Sequence, residues 1–167
     1  MKINRLTSAA VGGGTLLALA GLGLGAGLAS AATVPVVYIH VIQYSPAGSD
    51  VPVTTAKLDG EWVMLTNTTA KSVTLTNWTL RDKAGHVYRF PKLALAAHKS
   101  VEVHTGTGTN SAANLYWGHK PPSSGSYVWN NSGTETATLK NASGKTVDNR
   151  SYTGRSVSGA AQAVFKP

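Results

Sequence analysis

Acid–base chemistry needs carboxyl or imidazole groups held close together, and this chain has few of either. Its acids are Asp50, Asp59, Glu61, Asp82, Glu102, Glu135 and Asp148, and its histidines are His40, His86, His98, His104 and His119. A glycosidase needs two carboxyl groups facing each other across a sugar, and spacing alone pairs none of the seven scattered acids. Glu102 and His104 share a strand face by alternation and could begin a metal site. With no third ligand nearby, an exposed polar face is the expectation there. His40 lies in the most apolar stretch and reads as a hydrogen-bonded core or edge histidine rather than a base. The chain has no Cys, which excludes thiol nucleophiles and Cys-based zinc sites. No Gly-x-Ser-x-Gly elbow occurs, and Gly106-Thr107-Gly108 is too short to cradle phosphate. No catalytic residue, metal site or cofactor is therefore expected.

Aromatic and basic side chains offer binding chemistry instead. Trp62, Trp78 and Trp129 sit in strand-like runs, where core packing is the expected role. Tyr116 and Trp117 lie in a long Gly-, Ser- and Asn-rich connection, from Gly106 to Ser126, beside His119 and Lys120. Such a group could stack on sugars or bases, or fold back and anchor its own loop. Arg81, Lys83 and Arg89 flank one hairpin and could form a local positive patch. The candidate binding residues are thus Tyr116, Trp117, Lys120, Arg81, Lys83 and Arg89.

These residues need a scaffold, and the chain supplies one after a short preamble. Lys2 and Arg5 precede an uncharged Leu, Ala and Gly run from Leu16 to Leu28, followed by Ala29-Ser30-Ala31. This is the pattern of a cleavable signal peptide over 1–31, cut after Ala31 or Ala32. The Gly-broken run is a poor membrane span, and none is expected in the mature chain. A secreted, extracellular location follows. The remainder, 32–167, suits one domain and holds 13 Lys and Arg against 7 Asp and Glu, a formal charge of +6.

That domain reads as β throughout. Alternating apolar residues and Thr, Val, Tyr and Trp runs give candidate strands at Val36–Gln43, Glu61–Thr66, Ser72–Thr76, Trp78–Arg81, Val87–Phe90, Ser100–Thr105, Tyr127–Trp129, Thr134–Lys140 and Thr146–Tyr152. The first is almost wholly apolar, so buried on both faces. In the second, Val63 and Leu65 share one face and Trp62 and Met64 the other. Ser72–Thr76 and Trp78–Arg81 could form one bent strand. Hairpin turns are expected at Asp82-Lys83-Ala84-Gly85 and Asn141-Ala142-Ser143-Gly144. The tail after Gly154 is small and polar and reads as loose. Many short strands at this spacing indicate a sandwich or barrel.

The motifs resemble those of the lamin tail domain family, including its bacterial exported members, over 36–152. Ile39-His40-Val41-Ile42-Gln43-Tyr44 opens the match, with Pro46, Gly48 and Asp50 after it. Glu61-Trp62-Val63-Met64-Leu65-Thr66-Asn67 resembles the family's Glu-aromatic-Val-x-Leu-x-Asn strand, and Trp78-Thr79-Leu80-Arg81-Asp82 its Trp-x-Leu-x-Asp element. His104-Thr105-Gly106, Leu115-Tyr116-Trp117-Gly118, Trp129-Asn130-Asn131, Gly144 and Val147-Asp148 complete it. Three positions depart from the pattern: Met64 for an acid, Asn77 for a Gly, and Ala96-Ala97-His98 for a Pro-Gly turn. Asn tolerates the left-handed backbone a Gly would take. The resemblance implies an all-β, immunoglobulin-like antiparallel β-sandwich acting as an interaction module.

Function follows by analogy alone, since one sandwich hosts many activities. The first expectation is a secreted non-catalytic binding module for anionic cell-wall polymer or nucleic acid, partners that a basic surface favours. The alternative is a structural domain docking an extracellular protein, which an exposed apolar edge strand would favour. The third is a hydrolase, which a cleft gathering carboxylates and His would favour.

Overall fold

The computed structural model describes residues 33–122, 127–155 and 159–167. The expected leader, 1–31, lies outside the described residues. Thr33–Pro167 groups into one compact unit. Among the described residues no helix is long and apolar enough to cross a membrane.

Among the described residues eleven strands and one short helix follow each other along the chain. They are β1 (Val37–Ser45), α1 (Thr55–Asp59), β2 (Trp62–Asn67), β3 (Val73–Thr74), β4 (Thr79–Arg81), β5 (Val87–Arg89), β6 (Ala94–Leu95), β7 (Ser100–His104), β8 (Asn114–Tyr116), β9 (Gly133–Lys140), β10 (Thr146–Gly154) and β11 (Ala161–Val164). One sheet has the order β11-β1-β2-β7-β8 and the other β10-β9-β4-β5, with β3-β6 as a small third ladder. The ladders are antiparallel except β7 with β8, which run parallel. This is the immunoglobulin-like sandwich the motifs implied.

Alternation builds the core. Val63 and Leu65 of β2 and Val101 and Val103 of β7 point inward from one sheet. Leu80, Tyr88, Ala137, Leu139 and Tyr152 point inward from the other. Each such burial stabilises by roughly 1.5–3 kcal/mol for a large side chain. In β1 the core residues are Val37 and Ile39, then Ile42 and Tyr44, an odd set followed by an even set. A bulge between Ile39 and Val41 explains the change of phase: one extra residue, His40, flips every later side chain. The strand is buried along nearly its whole length, as its composition indicated.

Four expectations need correction. Tyr127–Trp129 is not a strand, although Val128 and Trp129 are buried; the Val128 N–H donates to Glu61 Oε1 rather than to a ladder. Ser72–Thr76 and Trp78–Arg81 are not one bent strand, because Asn77 adopts φ 65° and sends β3 and β4 into different sheets. The tail is not loose: Ala161–Val164 pairs with β1, and the Phe165 N–H donates to the His40 carbonyl at 2.8 Å. The long connection carries strand β8. It also escaped the reading that α1 would form, since five residues show no helical period. Thr54 caps this helix by accepting from the Lys57 N–H, and Gly60 ends it. A Cβ on Gly60 would lie 2.8 Å from the Pro46 Cβ, so only glycine fits that crossing.

Candidate functional site

Two regions of opposite charge stand out: the outer face of the β10-β9-β4-β5 sheet and a cavity beneath the β1–α1 loop.

The outer face is set by strand alternation. Leu80, Ala137 and Leu139 point into the core, so Arg81 on β4, Arg89 on β5 and Thr136, Thr138 and Lys140 on β9 point outward. Register places Arg81 opposite Thr138, and Thr79 opposite both Arg89 and Lys140. Arg81 is therefore a diagonal neighbour of both Arg89 and Lys140, about 7–8 Å away at the backbone, while Arg89 and Lys140 flank Thr79 from opposite sides. Lys83 joins them from the β4–β5 turn. A shallow depression of about 350 Å³ is lined by Arg81, Asp82, Lys83, Thr136, Thr138 and Lys140. Arg81, Lys83, Arg89 and Lys140 make no ion pair with a carboxylate among the described residues.

Two buried acids hold this face in place from behind. Asp82 Oδ1 accepts from the Gly85 and His86 N–H groups, each at 2.7 Å, and its Oδ2 meets His86 Nδ1 at 2.6 Å. Glu135 Oε1 accepts from the Lys83 and Thr136 N–H groups, each at 2.8 Å, and Oε2 accepts from Asn130 Nδ2 at 2.6 Å. These bonds fix the Lys83 turn to β9.

The same internal use of acids holds over the whole domain. All seven acids lie among the described residues, and none is exposed. Ten of the thirteen Lys and Arg after Ala32 are exposed. Asp148 illustrates the contrast: its Oδ2 accepts from the Ile39 N–H of the opposite sheet at 2.8 Å and from Arg150 Nε at 2.9 Å.

The loop aromatics are placed differently from the cations. Tyr116 is half-buried, stacked on His104 with ring centroids 5.0 Å apart, and lies over Gly108, where a Cβ would come within 2.3 Å of its ring. Trp117 is half-buried against the core, 5.5 Å from Tyr88 and 6.2 Å from Trp129 by ring centroids. Both anchor the connection. Lys120 beyond them is exposed. His104 is a structural clip, its Nδ1 at 2.7 Å from the Asp59 carbonyl and its Nε2 at 3.0 Å from Asn114 Oδ1. Glu102 lies 3.5 Å from His104. Among the described residues no group of three or more His, Asp or Glu is arranged to hold a metal ion.

The second region centres on Glu61, two residues past the end of α1. Its side chain is in phase with Val63 and Leu65, so β2 drives it inward, and it is 1 % exposed. Oε1 accepts from Thr105 Oγ1 at 2.7 Å and from the Val128 N–H at 2.8 Å. Oε2 has no hydrogen-bond partner, and neither has Trp129 Nε1. Burial pushes the Glu61 carboxyl up to about 8; Thr105 and the amides of Val128 and Trp129 hold it down in part, and Asp50 adds to the rise. At neutral pH this group is mostly the uncharged acid.

A cavity of about 240 Å³ opens beside it, lined by Tyr44, Asp50, Val51, Val53, Glu61, Tyr127, Trp129, Asn130 and Asn131. Asn131 Nδ2 donates to Asp50 Oδ2, and the Tyr127 hydroxyl donates to the Asp50 carbonyl at 3.3 Å. Burial, Asp50 and Glu61 together push the Tyr127 hydroxyl up to about 12. Sequence reasoning placed Glu61 at the head of a motif strand but, for chemistry, counted it only among scattered acids. The signal that could have found it was its phase: an acid two residues before Val63 and four before Leu65 belongs to the core face.

The motif residues thus have structural duties. Asn67 closes β2 by donating from Nδ2 to the Lys71, Leu95 and Ala96 carbonyls, and Asp82 closes the β4–β5 hairpin. The model of one family, the lamin tail domain, matches residues 30–154. With its sandwich, its Glu61-to-Asn67 strand and its Asp82 hairpin in place, this chain belongs to the lamin tail domain family.

Proposed function

We propose that this chain is a secreted, non-catalytic binding module that takes an anionic polymer of the cell envelope on the outer face of its β10-β9-β4-β5 sheet. One observation carries the reading: none of the seven acids is exposed, four being buried and Asp50, Asp59 and Glu102 half-buried, while ten of the thirteen Lys and Arg are exposed. A net charge of +6 spread over matched surface ion pairs would attract a polyanion weakly. Here the exposed charge is of one sign, and Arg81, Lys83, Arg89 and Lys140 share one side of the molecule with the Thr136 and Thr138 hydroxyls. Such a face offers phosphate or carboxylate groups both charge and hydrogen-bond donors. A flat sheet face reads backbone charge rather than sequence.

The test is binding of the purified protein to an anionic wall polymer and to a labelled DNA duplex, by fluorescence anisotropy, across salt concentrations. Binding should weaken steeply with salt, since neutralising each duplex phosphate contributes a slope of about 0.9. Tighter binding to the wall polymer supports the envelope assignment, and tighter binding to DNA makes nucleic acid the partner class. Absence of binding to either at low salt refutes the polyanion reading.

A second reading has its own observation. Strand β11 forms an edge of its sheet, and Val164 there is 59 % exposed. An open edge with an apolar side chain suits docking of an extracellular protein by strand addition. Deleting the β11 segment would abolish that docking and spare polyanion binding.

A further inference from the structure

We propose that the cavity beside Glu61 binds a primary alkylammonium group, with Glu61 Oε2 and Asp50 as its acceptors. The site is separate from the cationic sheet face and has the opposite sign. Its walls contain two carboxyl groups, and no Lys, Arg or His is among the described residues lining it. That is unusual in a domain where cations outnumber acids 13 to 7. Lys57 of α1 donates to the Ser49 and Pro52 carbonyls on either side of Asp50 but does not line the cavity, so the cavity itself offers a cationic ligand only acceptors.

Glu61 Oε2 makes the cavity more than a cluster of acids. Oε1 is fully engaged by Thr105 and Val128, while Oε2 is buried and without a partner. Buried polar atoms are normally paired, and once Glu61 ionises an ammonium N–H donor supplies the partner that Oε2 lacks. Asp50 is fixed alongside by Asn131. Tyr44, Tyr127, Trp129, Val51 and Val53 supply aromatic and aliphatic walls. These suit an alkyl chain and the face of a cation. They suit a bare metal ion poorly, because hard cations take six or more oxygen ligands. The volume, about 240 Å³, also exceeds what an ion with one or two waters fills, at about 30 Å³ per water.

Ligand binding is linked to a proton. Groups facing Glu61 are Asp50 from the β1–α1 loop, Tyr127 from the segment before β9, and Tyr152 from β10, with Tyr44 of β1 also on the cavity wall. None of these supplies positive charge. Glu61 therefore ionises when a cation arrives, and it releases its proton to solvent.

The experiment titrates the protein with n-propylammonium chloride, and separately with n-propanol and calcium chloride, following the Val128 and Trp129 amide resonances. Propylammonium should shift both amides, and propanol should shift neither. Affinity should rise about tenfold from about pH 6 to about pH 7, because only the ionised acid pairs with the cation. Glu61→Gln keeps an oxygen for Thr105 and Val128 and should lose both the affinity and its pH dependence. Asp50→Asn should weaken binding while retaining the pH dependence. Equal shifts with propanol, a preference for calcium, pH-independent affinity, or unchanged binding in Glu61→Gln would each overturn the proposal. If Glu61→Gln fails to fold, Asp50→Asn and the wild-type pH profile decide the matter. Neither outcome bears on polyanion binding, which is read on a different face with a different probe.

Discussion

Glu61 should make this domain less stable as the solution becomes more alkaline, a consequence of burying a carboxyl group beside Asp50. The folded-state value is about 8 against 4.5 for the free side chain. Between those values the folded protein holds a proton that the unfolded chain has released. Stability from this group is therefore complete below about pH 4.5 and is lost as pH rises through about 8. Each pH unit in that window takes about 1.4 kcal/mol, so raising the pH from about 5 to about 8 costs on the order of 4 kcal/mol. That is a large part of the 5–15 kcal/mol typical of whole domains, roughly speaking. The perturbation is Glu61→Gln, which keeps the oxygen that Thr105 and Val128 donate to and cannot ionise. At about pH 5 the variant should be the less stable by about 1 kcal/mol, since its amide group has no better partner than Oε2 had. By about pH 8 the order should reverse. Urea unfolding midpoints of both proteins across this range provide the measurement, and their difference removes every titrating group they share. A difference that stays flat over the window would refute the assignment of Glu61 as a buried, neutral acid.

Other expectations follow from the same geometry. Replacing Arg81, Lys83, Arg89 and Lys140 one at a time with Gln should each lower the salt slope of duplex binding by about 0.9 without changing the unfolding midpoint; anisotropy titrations check this, and unchanged slopes would move the polyanion elsewhere. Glu135→Ala removes the acceptor of the Lys83 and Thr136 amides and of Asn130, so it should destabilise by roughly 3 kcal/mol in chemical denaturation. Asn77→Ala should cost about 1 kcal/mol in the same assay, because φ 65° is unfavourable for a Cβ-bearing residue without a local polar side chain. Asn77→Gly should cost only a few tenths. Gly108→Ala should displace the Tyr116 ring it would strike and lower stability by about 1–3 kcal/mol, seen as loss of the ring contact with His104 in NMR spectra.

The distribution of charge joins the two proposed sites. Each of the acids Asp82, Glu135 and Asp148 is spent on backbone N–H groups that the ladders leave open. A carboxylate accepting several N–H bonds replaces ladder bonds at turns and bulges. The cost in surface chemistry is that little negative charge remains outside to offset Lys and Arg. The polyanion affinity we propose would in this sense be a by-product of how the fold is stitched. Beside the cavity Glu61 is only partly used in this way, with Oε2 left without a partner.

Much of the scaffold was decided by the sequence. Period-two alternation at Trp62–Asn67 and Ser100–His104 sets which residues enter the core, because a strand presents successive side chains to opposite faces. The Asp82 and Asn141 turns follow from side chains that bond their own backbone. Arg81 and Arg89 had to emerge on one face once Leu80 and Tyr88 were fixed inside. Asn77 was legible too, as one of the few non-glycine residues at ease at positive φ. What the sequence did not determine depends on contacts between distant segments. The bulge at His40 changes which half of β1 faces the core, and only pairing with β2 shows it. Strand β11 forms because β1 offers an open edge, although its own composition is that of a loop. Tyr116 and Trp117 are anchors because Gly108, His104 and Tyr88 lie beneath them. Glu61 carried its inward phase in the sequence, yet the cavity exists only where the β1–α1 loop and the segment before β9 meet above it. Local periodicity fixes direction, and tertiary packing alone decides what each side chain meets.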